Sequence, residues 1–169
     1  MLHVVPLMID DFKNTIVSDE IYNILQKYNW KKFLKSKENF IFNRNGEIAD
    51  YYLNISYEKE RLYFDCILDM EFPEKRIYDL YKLINYINEK SDDGYFTLDL
   101  EKKIIKYKNS IFFPNNLSHK HLYNLIDSSL NIGDELVQSF TLSIHKLIYS
   151  ETTVEELTGL MFVKVLGHA

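Results

Sequence analysis

A chain of 169 residues with five glycines, three prolines and one cysteine has room for a single domain and little for linkers, and it can form no internal disulfide or cysteine-rich zinc site. Its formal net charge of −5 argues against generic nucleic-acid binding, which draws most of its affinity from Lys and Arg contacts to phosphates, and against adsorption to anionic membranes. Alanine occurs only at Ala49 and Ala169 while Lys, Ile, Asn and Tyr abound, the mark of A+T-rich coding, so a Tyr or Asn here is not by its presence a functional residue.

The first residues, MLHVVPLMIDDF, are apolar but lack a basic leading region. Asp10 and Asp11 cut the apolar run short and no small-residue cleavage site follows, so this stretch reads as an extended arm of about 15 residues rather than a signal peptide. No apolar run approaches the ~20 residues of a membrane helix. A cytoplasmic protein is expected.

Residues 18–29 place Ile21, Ile24, Leu25 and Tyr28 on one stripe, behind Ser18 as N-cap and Asp19 and Glu20 near the positive end of the dipole; this predicts the first helix. After Trp30, Phe33 and Leu34 a short irregular strand is expected near 38–43. Asn45-Gly46 then predicts a two-residue hairpin turn, whose central positions both need positive φ. Residues 48–57 alternate, with Tyr51, Leu53, Ile55 and Tyr57 on one side and Asn54 and Ser56 on the other. Residues 62–70 alternate again, Leu62, Phe64, Cys66 and Leu68 against Tyr63, Asp65 and Asp69, as an antiparallel sheet with one solvated face requires.

Pro73 suits the start of a helix, and Ile77, Leu80, Tyr81, Ile84, Ile87 and Asn88 carry its stripe over 74–90 until SDDG at 91–94. Two strands follow, 95–100 with Phe96, Leu98 and Leu100 inward, and 103–113 with Ile105, Tyr107, Ile111 and Phe113 inward, joined by a charged turn at Glu101–Lys103. Beyond the Pro114-Asn115-Asn116 break, Ser118 caps a long helix over 118–149, in which Gly133 predicts a bend. A last helix begins at Thr152 or Thr153, with Glu155 or Glu156 completing a capping box. The sum is one α+β domain spanning 1–169, ordered α-βββ-α-ββ-α-α, with an antiparallel sheet of about five strands and helices packed on it.

Trp30, Asp50-Tyr51, Leu62, Cys66 with Asp69, Pro73 with Arg76 and the run Leu83-Ile84-Asn85-x-Ile87-Asn88-Glu89 recur in a known order, followed by Gly94-x-Phe96-x-Leu98-Asp99, Tyr107, Phe162 and Gly167-x-Ala169. Together they resemble the YbjN-type family, described as bacterial sensory transduction regulators, and look most like its alphaproteobacterial branch. The resemblance runs from Trp30 to the C-terminus. It implies a type III secretion chaperone-like fold, a cytoplasmic protein without catalytic residues, a regulatory role exercised through another protein, and a dimer.

The residues themselves offer little chemistry. Asp65 and Asp69, on one strand face, are expected roughly 13 Å apart, too far for a glycosidase-type carboxylate pair. His119-x-His121 diverges on a helix, and nothing resembles His-Glu-x-x-His, so no metal site is expected. Cys66 sits on an apolar face without a local His and reads as an inert buried thiol. Lys31, Lys32, Lys35 and Lys37, interleaved with Trp30, Phe33 and Phe40, read as a solvated, aggregation-resistant edge and not a nucleic-acid site.

The expectation is therefore a non-enzymatic, chaperone-like or regulatory domain, without cofactor, metal, nucleic acid or membrane, that binds another protein and forms a homodimer. Tyr52, Tyr63 and Tyr95 on the wet strand faces, with Asn85 and Asn88 on the central helix, are its candidate partner-binding residues. The surface is a sheet edge that accepts a strand or an apolar groove beside the central helix. The alternative is a small-ligand sensor with a pocket lined by Trp30, Phe40, Tyr51 and Tyr107.

Overall fold

A computed structural model describes residues 15–35, 40–58, 61–112 and 119–159. The N-terminal arm, the Pro114-Asn115-Asn116 break, the Ser118 cap, Lys37, and the matches at Phe162 and Gly167-x-Ala169 lie outside the described residues.

Helix α1 (Thr15–Lys27) ends where Asn29 takes a left-handed φ of 62°. The Trp30 N–H donates to Leu25 O and the Asn29 N–H to Gln26 O, a Schellman cap that turns the chain sharply into the sheet. Asn tolerates that conformation better than most residues. Strands β1 (Lys31–Lys35), β2 (Phe40–Asn45), β3 (Asp50–Glu58) and β4 (Arg61–Asp69) follow. A 3-10 turn at Glu74–Arg76 leads into α2 (Ile77–Lys90), then come β5 (Tyr95–Asp99), β6 (Ile104–Phe112), α3 (His119–Tyr149) and a short helix over 154–159.

The six strands form one antiparallel sheet in the order β1-β2-β3-β4-β6-β5. The α+β class and the helix-on-sheet arrangement are as expected; β1 extends the sheet by one strand that sequence pattern missed. Its pairing with β2 shifts register between Lys32 and Leu34, so the alternation that identifies a strand is interrupted.

All three long helices lie on one face, here the inner face. Leu62, Phe64, Cys66 and Leu68 of β4 join Tyr51, Leu53 and Ile55 of β3 and Ile105, Tyr107 and Ile111 of β6 in a continuous core. Helix α2 adds Leu80, Leu83, Ile84 and Ile87, and α3 adds Ile126, Leu130, Val137, Ile144, Leu147 and Ile148. Tyr81 is exposed and Leu83 is buried in its stead, because the stripe of α2 centres between residues 80, 83, 84 and 87 at helical periodicity. Leu100 is exposed as well, since β5 stops at Asp99 and Leu100 belongs to the turn. Phe113 and the side chain of Tyr57 lie outside the described residues.

Two glycine expectations need correction. Asn45 pairs with Asp50, so the hairpin closes through residues 46–49, with the Gly46 N–H donating to Ala49 O, and not through a two-residue turn at Asn45-Gly46. Neither residue has positive φ; a Cβ at Gly46 would lie 2.5 Å from the Tyr51 ring, so glycine is there for space. Gly133 sits within one unbroken helix, where a Cβ would come 3.3 Å from the Tyr107 ring. It lets α3 cross close over the sheet.

Capping ties the layers at their ends. The Arg76 guanidinium donates to Ser150 O at 2.6 Å, just past the carboxyl end of α3, and to Asp79 Oδ2 at 3.2 Å. Thr153 and Glu156 form the expected capping box: the Thr153 N–H donates to Glu156 Oε2 at 2.8 Å and the Glu156 N–H to Thr153 Oγ1 at 3.3 Å.

Candidate functional site

Because side chains alternate along a strand, filling the inner face with apolar residues leaves the intervening residues to the outer face. Pairing then sets those residues in rows across the sheet. One row reads Asn43, Tyr52, Ile67, Lys106, Thr97; the next reads Ile41, Asn54, Asp65, Lys108, Tyr95. Beyond it lie Ser56, Tyr63 and Ser110, and at that end Arg61 beside Phe112. At the opposite end Asp50 lies directly across from Asp69.

Three of the predicted residues, Tyr52, Tyr63 and Tyr95, thus share this face. Tyr63 is 36% exposed and Tyr95 50%, while Tyr52 is partly buried between Asn43 and Ile67. The structure adds Phe112, 53% exposed, and the partly buried Ile41, Ile67 and Ile104. Sequence reasoning passed over these four. Their signal was phase: Ile67 and Phe112 stand one residue out of step with the buried Cys66, Leu68 and Ile111.

The charges of this face fall into two groups. Lys106 Nζ lies 2.9 Å from Asp99 Oδ2, and that bond, with the Lys102 N–H, holds the Asp99 carboxyl below its ordinary range. Lys108 Nζ lies 3.9 Å from Asp65 Oδ1. Asp50 and Asp69, both exposed, have no cation partner among the described residues, and like charges set directly opposite repel. At the far end the Arg61 guanidinium lies 6.0 Å from the Phe112 ring centre, and Arg61 pairs across the β3–β4 ladder with Glu58.

The two asparagines separate. Asn85 is exposed on the solvent side of α2. The Asn88 amide instead grips strand β5: Nδ2 donates to Phe96 O at 2.9 Å and Oδ1 accepts the Phe96 N–H at 2.7 Å. Since β5 is the last strand of the sheet, Asn88 occupies the backbone groups that an added strand would need there. That leaves β1 as the other edge.

Under the helices, a small cavity is lined by Trp30, Leu53, Phe64, Cys66, Tyr107 and Leu130, with Asp134 at its border. Its free volume of about 30 Å³ holds one or two waters and no larger ligand. Trp30 and Tyr107 therefore line a cavity as the sensor alternative expected, but Tyr51 does not, and the Phe40 side chain lies outside the described residues. Burial pushes the Cys66 thiol far up, with the nearby Asp134 charge adding to it, so it is a poor nucleophile. The Tyr107 hydroxyl donates to Asp93 O at 2.8 Å, and burial pushes its pKa up to about 12. Gly94 makes room for it: its φ is +70° and a Cβ would lie 2.4 Å from that hydroxyl. Arg44 pairs with Asp134 of α3, whose other oxygen accepts from Gln138 at 2.7 Å.

His121 is exposed and the side chain of His119 lies outside the described residues. Among the described residues no three His, Cys, Asp or Glu side chains converge as metal ligands. No helix among them is long and apolar enough to cross a membrane.

No curated protein matches this chain. The solved structure of YbjN from E. coli, described as "a putative transcription regulator", superposes with a TM-score of 0.55 at 11% identity, covering 76% of this chain and 96% of that one. An uncharacterized protein from Methanothermobacter thermautotrophicus covers 76% of this chain and 99% of its own at 13% identity and a TM-score of 0.43. The first likeness establishes the fold. A model of the YbjN family, "Putative bacterial sensory transduction regulator", matches residues 18–141, which hold most of α1, the whole sheet, α2 and most of α3. The chain belongs to the YbjN family.

Proposed function

We propose that this chain is a non-enzymatic regulatory domain of the cytoplasm that acts, in the manner of a chaperone, by binding another polypeptide, and that it works as a homodimer. The observation that carries this reading is the one-sided sheet. Its inner face is closed by three helices, while its outer face presents Tyr63, Tyr95 and Phe112 to solvent amid isoleucines and paired charges. Tyrosine offers a large contact area and a polar tip at low entropy cost, which suits recognition of a polypeptide. The family description as a regulator supports the same reading.

Two carboxylates and the thiol that chemistry could draw on are otherwise engaged. Asp65 and Asp99 are held by lysines, and the Cys66 thiol is buried. The inner cavity is water-sized, which favours polypeptide binding over the small-ligand alternative. Of the sheet edges expected to accept a strand, the one at β5 is occupied by Asn88; the outer face, which was not among the expected surfaces, is favoured by its exposed Tyr63, Tyr95 and Phe112.

The test is quantitative capture of partners from native cytoplasm by the full chain and by a variant combining Tyr52→Ser, Tyr63→Ser and Tyr95→Ser. A saturable protein partner is expected, with capture by the variant weakened about tenfold or more. Recovery of no saturable partner, or equal recovery by both chains, overturns the proposal.

A further inference from the structure

The two edges of the sheet differ. At β5 the Asn88 amide occupies the Phe96 N–H and C=O. At β1 no strand or side chain among the described residues is bonded along the open side. An edge strand turns the backbone groups of alternate residues outward, so β1 offers donors and acceptors to an added strand. We infer that this edge takes an extended, acidic segment of a partner polypeptide as a further strand. The inference goes beyond the outer face and gives the chain a second, separate surface.

Charge selects the occupant. The chain carries a net charge of −5, yet Lys31, Lys32 and Lys35 fill three of the five positions of β1 and no acid stands among them. Their partners across the ladder are Asn43, Phe42 and Phe40, so no acid answers them from β2 either. Lys31 is exposed. Cations along an open edge act in two ways. They repel a second β1, because antiparallel pairing of two copies about Phe33 sets Lys31 of one against Lys35 of the other, and like charges directly opposite destabilise a ladder. They attract a strand that carries Asp or Glu, for which the same positions become cross-strand ion pairs. Repulsion of the wrong strand and attraction of the right one together make specificity.

Backbone pairing alone is too weak to hold an arbitrary strand here. Strand β1 is five residues long, and its register against β2 shifts between Lys32 and Leu34, an irregularity that twists an edge and interrupts its row of outward groups. Few ladder bonds are on offer, so the charges decide which segment stays. Main-chain bonds fix the course of the added segment and the lysines fix its sign. A nucleic-acid strand would answer the lysines but could not complete the ladder, which favours a polypeptide.

A dye-labelled, end-capped peptide about seven residues long, built of Glu and Val, is titrated with the full chain and followed by fluorescence anisotropy. Saturable binding is expected, weakened about tenfold or more between roughly 0.05 M and 0.5 M salt. The chain carrying Lys31→Glu and Lys35→Glu should bind that peptide about tenfold or more weakly and should gain binding of its counterpart with Lys in place of Glu. Circular dichroism checks that this variant is folded. The wild-type chain alone supplies a second test: N-methylation throughout the peptide keeps its charge, removes its donors and should weaken binding about tenfold or more. Absence of saturable binding, equal binding of the Glu and Lys peptides by the wild-type chain, or undiminished binding of the N-methylated peptide overturns the inference. An oligothymidylate of the same charge that competes as strongly overturns it too, by showing a general anion patch. The variant combining Tyr52→Ser, Tyr63→Ser and Tyr95→Ser should bind the acidic peptide as wild type does, so this inference and the outer-face reading fail separately.

Discussion

The two faces of strand β4 differ by one residue of phase and by almost everything else. Leu62, Phe64, Cys66 and Leu68 are sealed against helices, whereas Arg61, Tyr63, Asp65, Ile67 and Asp69 between them meet solvent to varying degrees. The inner set is selected for volume and greasiness, and its polar neighbours are bound into the fold. The outer set includes Asp69, set across from Asp50 of β3 in an acid pair that repels. Stability is thus concentrated on one side of a single layer, and recognition is left to the other.

The largest expected effect separates the faces within one strand. Leu68→Ala removes a fully buried side chain and should destabilise the fold by about 3 kcal/mol, whereas Ile67→Ala, its neighbour on the outer face, should cost under about 1.5 kcal/mol. Urea unfolding of the two variants measures the difference. Equal losses would show that something covers the outer face as thoroughly as the helices cover the inner one.

Asn88 comes next, because it guards the edge where the faces meet. Asn88→Ala leaves the Phe96 N–H and C=O without their side-chain partner, at a cost of about 2 kcal/mol, and opens β5 to strand addition. Asn85→Ala, three residues away and exposed, should change stability by less than about 0.5 kcal/mol. If Asn85→Ala proves the costlier, the assignment of Asn88 to the edge is wrong. Thioflavin binding on prolonged incubation should rise for the Asn88 variant alone.

A pH series tests how closed the inner face is at Tyr107. Its folded pKa of about 12 lies above the ordinary 10 of tyrosine, so the folded state holds the proton more tightly than the unfolded one. The associated stability is complete below pH 10 and is lost as pH rises through about 12. The unfolding midpoint should fall across that window, and Tyr107→Phe should show a shallower fall. The same variant loses the hydrogen bond to Asp93 and should start about 1 kcal/mol less stable at neutral pH. A Tyr107→Phe profile parallel to that of wild type would place the alkaline loss elsewhere.

Local pattern made much of this legible. The alternation of β3 and β4, the stripes of α2 and α3, Pro73 before its helix and the Thr153–Glu156 box are all properties of neighbouring residues, and the fold keeps them. What escaped depends on pairings that composition does not show. Strand β1 has a pattern broken by a register shift that only its pairing with β2 reveals. Asn45-Gly46 has the right composition for a tight turn, yet the Asn45–Asp50 pairing makes the loop longer. Thr141, buried inside α3, escapes an apolar count because its hydroxyl is satisfied by Val137 O one turn back. The candidate site was half legible: the tyrosines are visible as off-phase aromatics, but that Asp50 faces Asp69 is a fact of register alone.

That register gives the smallest prediction, and its sign is opposite to all the others. Asp50→Asn removes one of two carboxylates set directly across from one another on exposed backbone. It should raise stability by about 0.3 kcal/mol at low salt. The gain should vanish near 1 M salt, where the screening length falls to about 3 Å. Chemical unfolding at the two ionic strengths measures it. No substitution on the inner face of the strands should stabilise in this salt-dependent way, because the buried side chains there are uncharged. A neutral or harmful Asp50→Asn would mean that the acid pair is held by a cation within the monomer. A stabilising one marks a site where stability is sacrificed to what the face binds.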